Sequence, residues 1–368
     1  MVPLAFAALL TLHGRIHLLG AAKAFHWLEV PQLEQPISGA AGLLWLAAAI
    51  LCLATAVALL VWPRWWWAMG AAALLLSVAA IAGSWQDARA GMAVNALVLA
   101  GVAFGVLSQG PGSLRRAFDQ DVSARVQSGG AGLVTEADLA HLPGPVRRYL
   151  NAAGVVGRPR VRNYRVRMHG RIRSGPERPW MPFTAEQYNV VAPAARLFYL
   201  NATMFAVPVQ GYHRYLDGEA SMLVKAAALV PVARARGPEM TRAETVTLFN
   251  DMCLLAPATL VDPAIEWREV DAATVTGRFT NAGHTVEARL VFDGAGQLTN
   301  FISDDRSQAA ADGTGLRRLR WSTPMRGVRA FGDVLLAADG EARWHETGGE
   351  WPYIQLTIDE VAYNVTPP

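Results

Sequence analysis

The sequence predicts two architectures in one chain: a four-helix transmembrane bundle, then an α+β domain made of a large antiparallel sheet interrupted by one long helix. Three observations predict it. Charge is segregated. The chain has 33 Lys+Arg and 30 Asp+Glu, yet only Arg15, Lys23, Glu29, Glu34, Arg64, Asp87 and Arg89 fall in positions 1–108. No charged residue stands between Glu34 and Arg64, a run longer than the roughly 20 apolar residues that cross a bilayer core as a helix. From Arg160 onward apolar residues recur with a period of two, the mark of half-buried strands. The division is 1–108 for the four-span domain, 109–132 for a linker, and 133–368 for the soluble part. That part opens with a helical pair (133–156) and continues as sheet (157–368).

The spans follow in order. Residues 2–25 are apolar from Leu4 to Leu12, then carry His13, Arg15, His17 and Lys23. This stretch crosses if its polar side chains face protein and Lys23 snorkels. It lacks a basic n-region and a cleavage site, and reads as a retained helix. Gly39–Trp62 is the plainest span, closed by Pro63-Arg64-Trp65-Trp66-Trp67, the composition of a membrane–water interface. Two more spans, 67–84 and 91–108, flank a tight turn holding Asp87 and Arg89. Gly and Ala allow the helices to approach closely. The basic residues Arg64, Arg115, Arg116 and Arg125 fall on one side and Glu29, Glu34, Asp87 and Arg89 on the other. That bias places the C-terminal domain in the cytoplasm, with a bacterial inner membrane as the bilayer.

In the linker, Pro111-Gly112 ends the fourth helix and Ser128-Gly129-Gly130-Ala131-Gly132 reads as flexible, with a short surface helix between them. Thr135-Glu-Ala-Asp138 is a capping box. Pro145 to Gly154 is a helix with Pro in its first turn and Gly at its end. Tyr164, Val166, Met168 and Ile172 alternate with Arg165, Arg167, Arg171 and Arg173, a strand with one buried and one basic face. Strands are predicted at Phe183–Val191, Ala195–Ala202, Gly211–Leu216 and Ser221–Val224. A helix capped by Thr241 follows, ending near Pro257. Strands then resume at Thr274–Thr280, Val286–Phe292, Leu298–Ser303, Arg317–Trp321, Val328–Leu336, Glu341–Glu346 and Tyr353–Val365. In the last, the alternation slips at Asp359-Glu360, which predicts a bulge.

Several words of the sequence resemble a known family. They include His13-Gly-Arg-Ile-His17, Pro31-Gln-Leu-Glu-Gln-Pro-Ile-Ser38, Ser84-Trp-Gln-Asp-Ala88 and Leu142-Pro-Gly-Pro-Val-Arg-Arg-Tyr-Leu150. Pro179-Trp-Met-Pro-Phe-Thr-Ala-Glu-Gln-Tyr188 and Gly237-Pro-Glu239 belong with them. Together they are similar to an uncharacterised bacterial membrane family of the DUF6544/DUF6920 type, across nearly the whole chain. The resemblance transfers no activity. The bundle is similar in layout to DoxX-like membrane domains. The strand–helix–strand order looks like the lipoprotein-carrier fold of LolA, and so implies a curved sheet wrapped over a helix with a greasy cavity. That carrier family works outside the cytoplasm, against the orientation that the basic residues give.

Candidate chemistry is sparse. A net charge of +3 with no Lys/Arg run excludes a nucleic-acid tracker. Cys52 and Cys253 are placed too differently to pair, and no Cys/His spacing resembles a metal site. Nothing calls for a cofactor. His13 and His17 share a helix face. Together with Asp87 and Asn95 they are the intramembrane polar candidates, for ion or proton handling or, more plainly, for interhelical hydrogen bonds to Asn95 or Ser84. Arg165, Arg167, Arg171 and Arg173 are candidates for lipid headgroups, against an ordinary solvated face. Trp180, Glu186, Tyr212, Glu239 and Arg306 are candidates for lining a ligand cavity, against plain aromatic packing. No nucleophile–base order or phosphate-cradling loop appears, so catalytic residues are not expected. The leading expectation is a non-enzymatic membrane protein binding a lipid or other apolar ligand at the membrane surface. The alternatives are a membrane oxidoreductase or small-ion handler using the bundle's polar residues, and a scaffold for a protein partner.

Overall fold

The computed structural model describes residues 2–127, 129, 132–309 and 315–367. Most of the flexible stretch expected at 128–132 lies outside them. The chain forms two compact units, Met1–Ala117 and Phe118–Pro368.

The first unit contains helices α1 (Val2–Ala24), α2 (Gly39–Val61), α3 (Trp66–Gly83), the short α4 (Trp85–Ala88) and α5 (Gly91–Gln109). Among the described residues, four helices are long and apolar enough to cross a membrane, the first included. Ser38 caps α2 through the Ala41 N–H, satisfying one of the donors a helix start leaves open. Close packing needs small residues. A Cβ on Gly20 would lie 2.3 Å from the Trp45 ring, so α1 and α2 could not approach as they do with any other residue there. Lys23 does not reach outward: it donates to the Leu33 carbonyl and ties down the 25–38 loop. Asp87 accepts the Gln35 N–H at 2.9 Å from the same loop.

Helix α6 (Leu114–Arg125) forms where a short helix was expected in the linker and crosses the division, but Phe118 and Val122 are buried, so it is not a surface helix. The second unit continues with α7 (Glu136–Leu139), where both bonds of the predicted capping box form. Helix α8 (Gly144–Ala153) follows and stops at left-handed Gly154 (φ 74°).

The strands before the long helix are β1 (Asn163–Ile172), β2 (Met181–Val190), β3 (Ala195–Met204), β4 (Val207–Leu216), β5 (Glu219–Ala226) and β6 (Val230–Arg236). Helix α9 (Pro238–Leu255) comes next. It starts three residues before Thr241, at Pro238 behind Gly237. Thr241 lies inside it, donating back to the Gly237 carbonyl and accepting the Ala220 N–H. After it come β7 (Ile265–Asp271), β8 (Thr274–Asn281), β9 (His284–Phe292), β10 (Leu298–Ser303), β11 (Ser307–Ala309), β12 (Leu316–Arg318), β13 (Trp321–Ser322), β14 (Met325–Phe331), β15 (Val334–Glu346) and β16 (Gly349–Tyr363). The expected strand at 328–336 is therefore two, turned at Gly332-Asp333.

All but β11 and β12 join one fourteen-stranded antiparallel sheet, ordered 6-5-4-3-2-1-16-15-13-10-9-8-7 with β14 on β15. The sheet is a large curved half-barrel, and α9 lies on its inner face against β5, β9 and β10. The predicted bulge is present. Arg167 pairs with Glu360 but Met168 pairs with Ile358, leaving Asp359 as the extra residue.

Candidate functional site

Side chains alternate faces along a strand, so the inner face of the half-barrel can be read off the register. Met168 of β1, Phe183 and Gln187 of β2, Arg196, Phe198 and Leu200 of β3 and His213 of β4 all face α9. With Ile354, Leu356 and Ile358 of β16 and Leu254 and Leu255 of α9, they line a cavity of about 190 Å³. Its walls are apolar towards Ile172, Phe183, Leu200 and Ile354. Elsewhere they carry charge.

Arg196 is the centre of that charged part. Its Nε donates to Asp251 Oδ2 at 2.6 Å, one Nη to Glu244 at 3.1 Å and the other to Gln187 Oε1 at 3.0 Å. Gln187 in turn donates to Asp251 at 2.8 Å. Arg306 donates to Glu244 Oε1 at 2.9 Å and to the Ala243 carbonyl at 2.8 Å. Its guanidinium stacks over Trp321 at 5.0 Å, and Trp321 donates to the Tyr353 hydroxyl. His213 Nδ1 stands 4.0 Å from Glu244. The Glu244 side chain is only 2 % exposed. Burial alone would push its pKa up, but Arg306, His213 and Arg196 outweigh burial and hold it below the ordinary carboxylate range. Burial likewise opposes the charge on Arg196 and Arg306, and Asp251 and Glu244 overcome it. The result is a charge-balanced knot of two guanidiniums and two carboxylates facing a greasy space. Such burial is expensive unless every partner is present. Arg306 Nε, buried, has no hydrogen-bond partner.

Of the five residues predicted to line a ligand cavity, Arg306 does so. Tyr212 faces the opposite side of the sheet. There its hydroxyl donates to Asp121 at 2.7 Å, beneath the end of α6. Phe118 of that helix sits among Tyr188, Tyr199 and Tyr212, with ring centroids 5.6–5.9 Å away. Glu186 is on this outer face too, level with Tyr199 and Arg167. Glu239 is exposed in the first turn of α9. Trp180 packs under Arg171 and Arg173 at 4.8 and 4.5 Å.

The basic row of β1 is not bare. Arg165 bonds Glu360, Arg167 is 3.6 Å from the same carboxylate and His169 bonds Asp359. Arg171 bonds Gln355, and Arg173 bonds the Pro352 carbonyl. The acidic pair that marked the bulge neutralises part of the strand beside it.

In the bundle, His13, His17, Ser77 and Asn95 converge and are all buried. His13 Nε2 lies 3.0 Å from Ser77 Oγ and 3.0 Å from Asn95 Oδ1. His17 Nε2 lies 2.8 Å from Ser77, and Ser77 donates to Asn95 at 2.8 Å. Asn95 was expected there; Ser77 was not, and Ser84 and Asp87 lie elsewhere. Each interhelical bond of this kind adds a modest stabilisation in lipid. Among the described residues no group of three or more His, Cys, Asp or Glu is placed to hold a metal.

A family model described as "Family of unknown function (DUF6544)" matches residues 132–356. No curated protein matches the sequence. Several solved structures are similar. A domain of the outer membrane lipoprotein-sorting type from Vibrio parahaemolyticus is 9 % identical with a TM-score of 0.33, covering 55 % of this chain and 85 % of that one. A LolA superfamily protein from Nitrosomonas europaea is 8 % identical (TM-score 0.29; 59 % and 93 %). A DUF1329 family protein from Desulfovibrio piger is 9 % identical (TM-score 0.29; 60 % and 92 %). These are likenesses of fold, and no function is taken from them.

Proposed function

The chain belongs to that family, whose function is unknown, and we propose that its half-barrel binds the apolar end of an amphiphilic molecule between sheet and α9. One observation carries this: the cavity joins an apolar wall to a buried charged knot. A core built only for stability would fill the space with hydrophobic side chains, since replacing buried ion pairs by apolar residues is often neutral or stabilising. Keeping two guanidiniums and two carboxylates beside an unfilled apolar space favours recognition of a ligand with a polar end. The unpartnered Arg306 Nε offers that end a donor. At about 190 Å³ the cavity is smaller than the roughly 300–1,000 Å³ of sites for drug-sized ligands. It therefore takes one short chain or the tip of a longer one, not a whole phospholipid. The reading makes the protein a binder, without catalysis. By the basic residues around the spans, the half-barrel faces the cytoplasm of a bacterial inner membrane; a reporter fused at the C-terminus that is active only outside would overturn that placement.

The binding reading is tested on the purified full chain. Bound small molecules are extracted and weighed by mass spectrometry for the native protein and for Leu200→Trp, which fills the apolar wall. Both retain the lipids of the helix bundle. A species present with the native protein and depleted from the variant supports the reading; identical profiles refute it.

A further inference from the structure

We propose that the half-barrel touches a lipid bilayer through two neighbouring hairpin tips, β3–β4 and β5–β6. The tips lie side by side: Ala227 N donates to the Pro208 carbonyl at 2.7 Å. Between them they expose Met204, Phe205, Val207, Leu229, Val230 and Val232, with Phe205 81 % and Leu229 59 % exposed. Side chains of this size gathered at one end of a domain mark an interaction surface, unlike scattered exposed residues.

The turns themselves carry the argument further. Phe205 and Ala206 both have positive φ (48° and 68°), as do Ala227 and Ala228 (49° and 58°). The β3–β4 turn has two residues and the β5–β6 turn three, since Ala226 pairs with Val230; left-handed positions in such turns favour Asn, Asp and Gly, because a Cβ is strained there. This protein uses those residues elsewhere: Asp217-Gly218 closes β4–β5 at the opposite end, and Gly283 follows Ala282 in the turn of β8–β9. At the paired tips it keeps Phe-Ala and Ala-Ala instead. Apolar residues are retained where polar ones would fold more easily, as a surface meeting hydrocarbon requires.

Charge selects the partner. No acidic residue occurs from Arg196 to Leu216 or from Ala220 to Pro238, and Lys225 of β5 lies beside the second turn, with Arg234 and Arg236 farther along β6 towards the opposite end. Cations flanking exposed apolar side chains are drawn to anionic lipid. A protein strand is a poor alternative occupant. β6 ends the sheet order, and Pro231 together with the two arginines blunts that edge against strand addition. The connection is short as well. Helix α5 ends at Gln109 and the second unit begins at Phe118, so the half-barrel is tethered to whatever bilayer the helices cross. Finally, the tips lie at the apolar end of the cavity. One row of the register runs from Phe183 in its wall through Ala202 and Val209 to Ala226 beside the turn. The bilayer contact does not depend on the proposed ligand; it can hold with the cavity empty.

The test uses the full chain with its two buried cysteines (Cys52 and Cys253) replaced by alanine. A single environment-sensitive fluorophore is attached at Leu229→Cys, at Phe205→Cys or, as the far-end control, at Glu219→Cys. Each protein is reconstituted in vesicles of phosphatidylcholine and phosphatidylglycerol that contain no other protein. Quenching by lipids spin-labelled in the acyl chain should be several-fold stronger at 229 and 205 than at 219. It should weaken when Lys225, the cation beside the tip, is changed to Glu. Equal quenching at all three sites, or tip labels as open to aqueous iodide as the control, overturns the proposal and leaves a protein partner for that surface. Ligand extraction by mass spectrometry is a separate readout, so the two proposals fail separately.

Discussion

Arg196→Met tests whether the charged knot is held as tightly as its geometry implies. The substitution removes a guanidinium that donates to Asp251, Glu244 and Gln187 at 2.6, 3.1 and 3.0 Å. Glu244 keeps Arg306 at 2.9 Å. Asp251 keeps only neutral amide donors, Gln187 at 2.8 Å and Asn250 at 3.4 Å, with its side chain 7 % exposed. The loss is therefore not the attraction of one pair but the burial of a carboxylate with no cation. Removing one member of a buried pair costs about 3–5 kcal/mol on that account. For a unit of this size each kcal/mol moves the midpoint by about 2–4 °C, so the half-barrel should melt about 6–20 °C lower. The chain has two units and will not unfold in one step, so the midpoint is best read by proteolysis or hydrogen exchange across α9. Replacing Asp251 by Asn in the same background removes the orphaned charge and should recover a large part of the loss, a coupling on the order of 0.5–3 kcal/mol. A midpoint within about 2 °C of the native protein would refute the reasoning, because it would mean that Asp251 needs no cation.

Three further outcomes follow from the same contacts. Glu244 is held below its ordinary range. A depressed carboxylate stabilises the fold above its unfolded pKa and loses that contribution as pH falls through the folded one. Unfolding midpoints measured against pH should thus decline below about 4.5, and Glu244→Gln should flatten that acid limb while lowering the neutral midpoint; an unchanged acid limb would assign the decline to other groups. Ser77→Ala removes the hydroxyl shared by His13, His17 and Asn95, and should weaken the bundle by about 1–2 kcal/mol in a detergent-denaturation titration; a smaller change would mean the imidazoles re-pair. Phe118→Ala empties the cage of three tyrosines, where Phe118 is 1 % exposed. At about 3–5 kcal/mol for a buried aromatic, exchange over 118–125 should rise well before that of β2–β4, and unaltered exchange would show that Asp121 and Arg125 suffice to hold the helix.

The bundle was largely legible because a bilayer core leaves few options. Twenty apolar residues with closed backbone bonds can only be a helix, so the spans could be bounded by charge alone. Within the sheet, alternation revealed strands with one buried face, as at Tyr164–Ile172, and even the slip at Asp359. It did not reveal β6 or β7. Val230–Arg236 is an edge strand exposed along nearly its whole length, and Ile265–Asp271 is mostly exposed after its first residue. A strand with no buried face has no period to read. The hairpin at Gly332-Asp333 was hidden for the opposite reason. Its two flanks, Val328–Phe331 and Val334–Leu336, are apolar enough to pass for one continuous run.

The site was harder to read, and the reason is physical. Arg306 could be suspected because an arginine among strands is conspicuous. Arg196 is equally so, but it sits beside Leu197 and Tyr199, whose outward burial beneath α6 gives β3 two apolar faces and conceals which one is inner. The remaining signal lay in α9. Glu244, Thr247 and Asp251 recur at helical spacing through a segment otherwise rich in Val, Leu, Phe and Met. On a surface helix such a stripe is simply the wet side. On α9, buried from Met240 to Leu255 apart from Arg242, no wet side exists, so the stripe must face partners or a cavity. Sequence periodicity gives the stripe but not the burial, since burial depends on a sheet that closes over the helix from both sides. Strands before and after α9, with the chain returning to pair β16 against β1, were the evidence that such closure occurs. With that pairing known, the polar stripe ceases to be a surface and becomes the charged wall of a site.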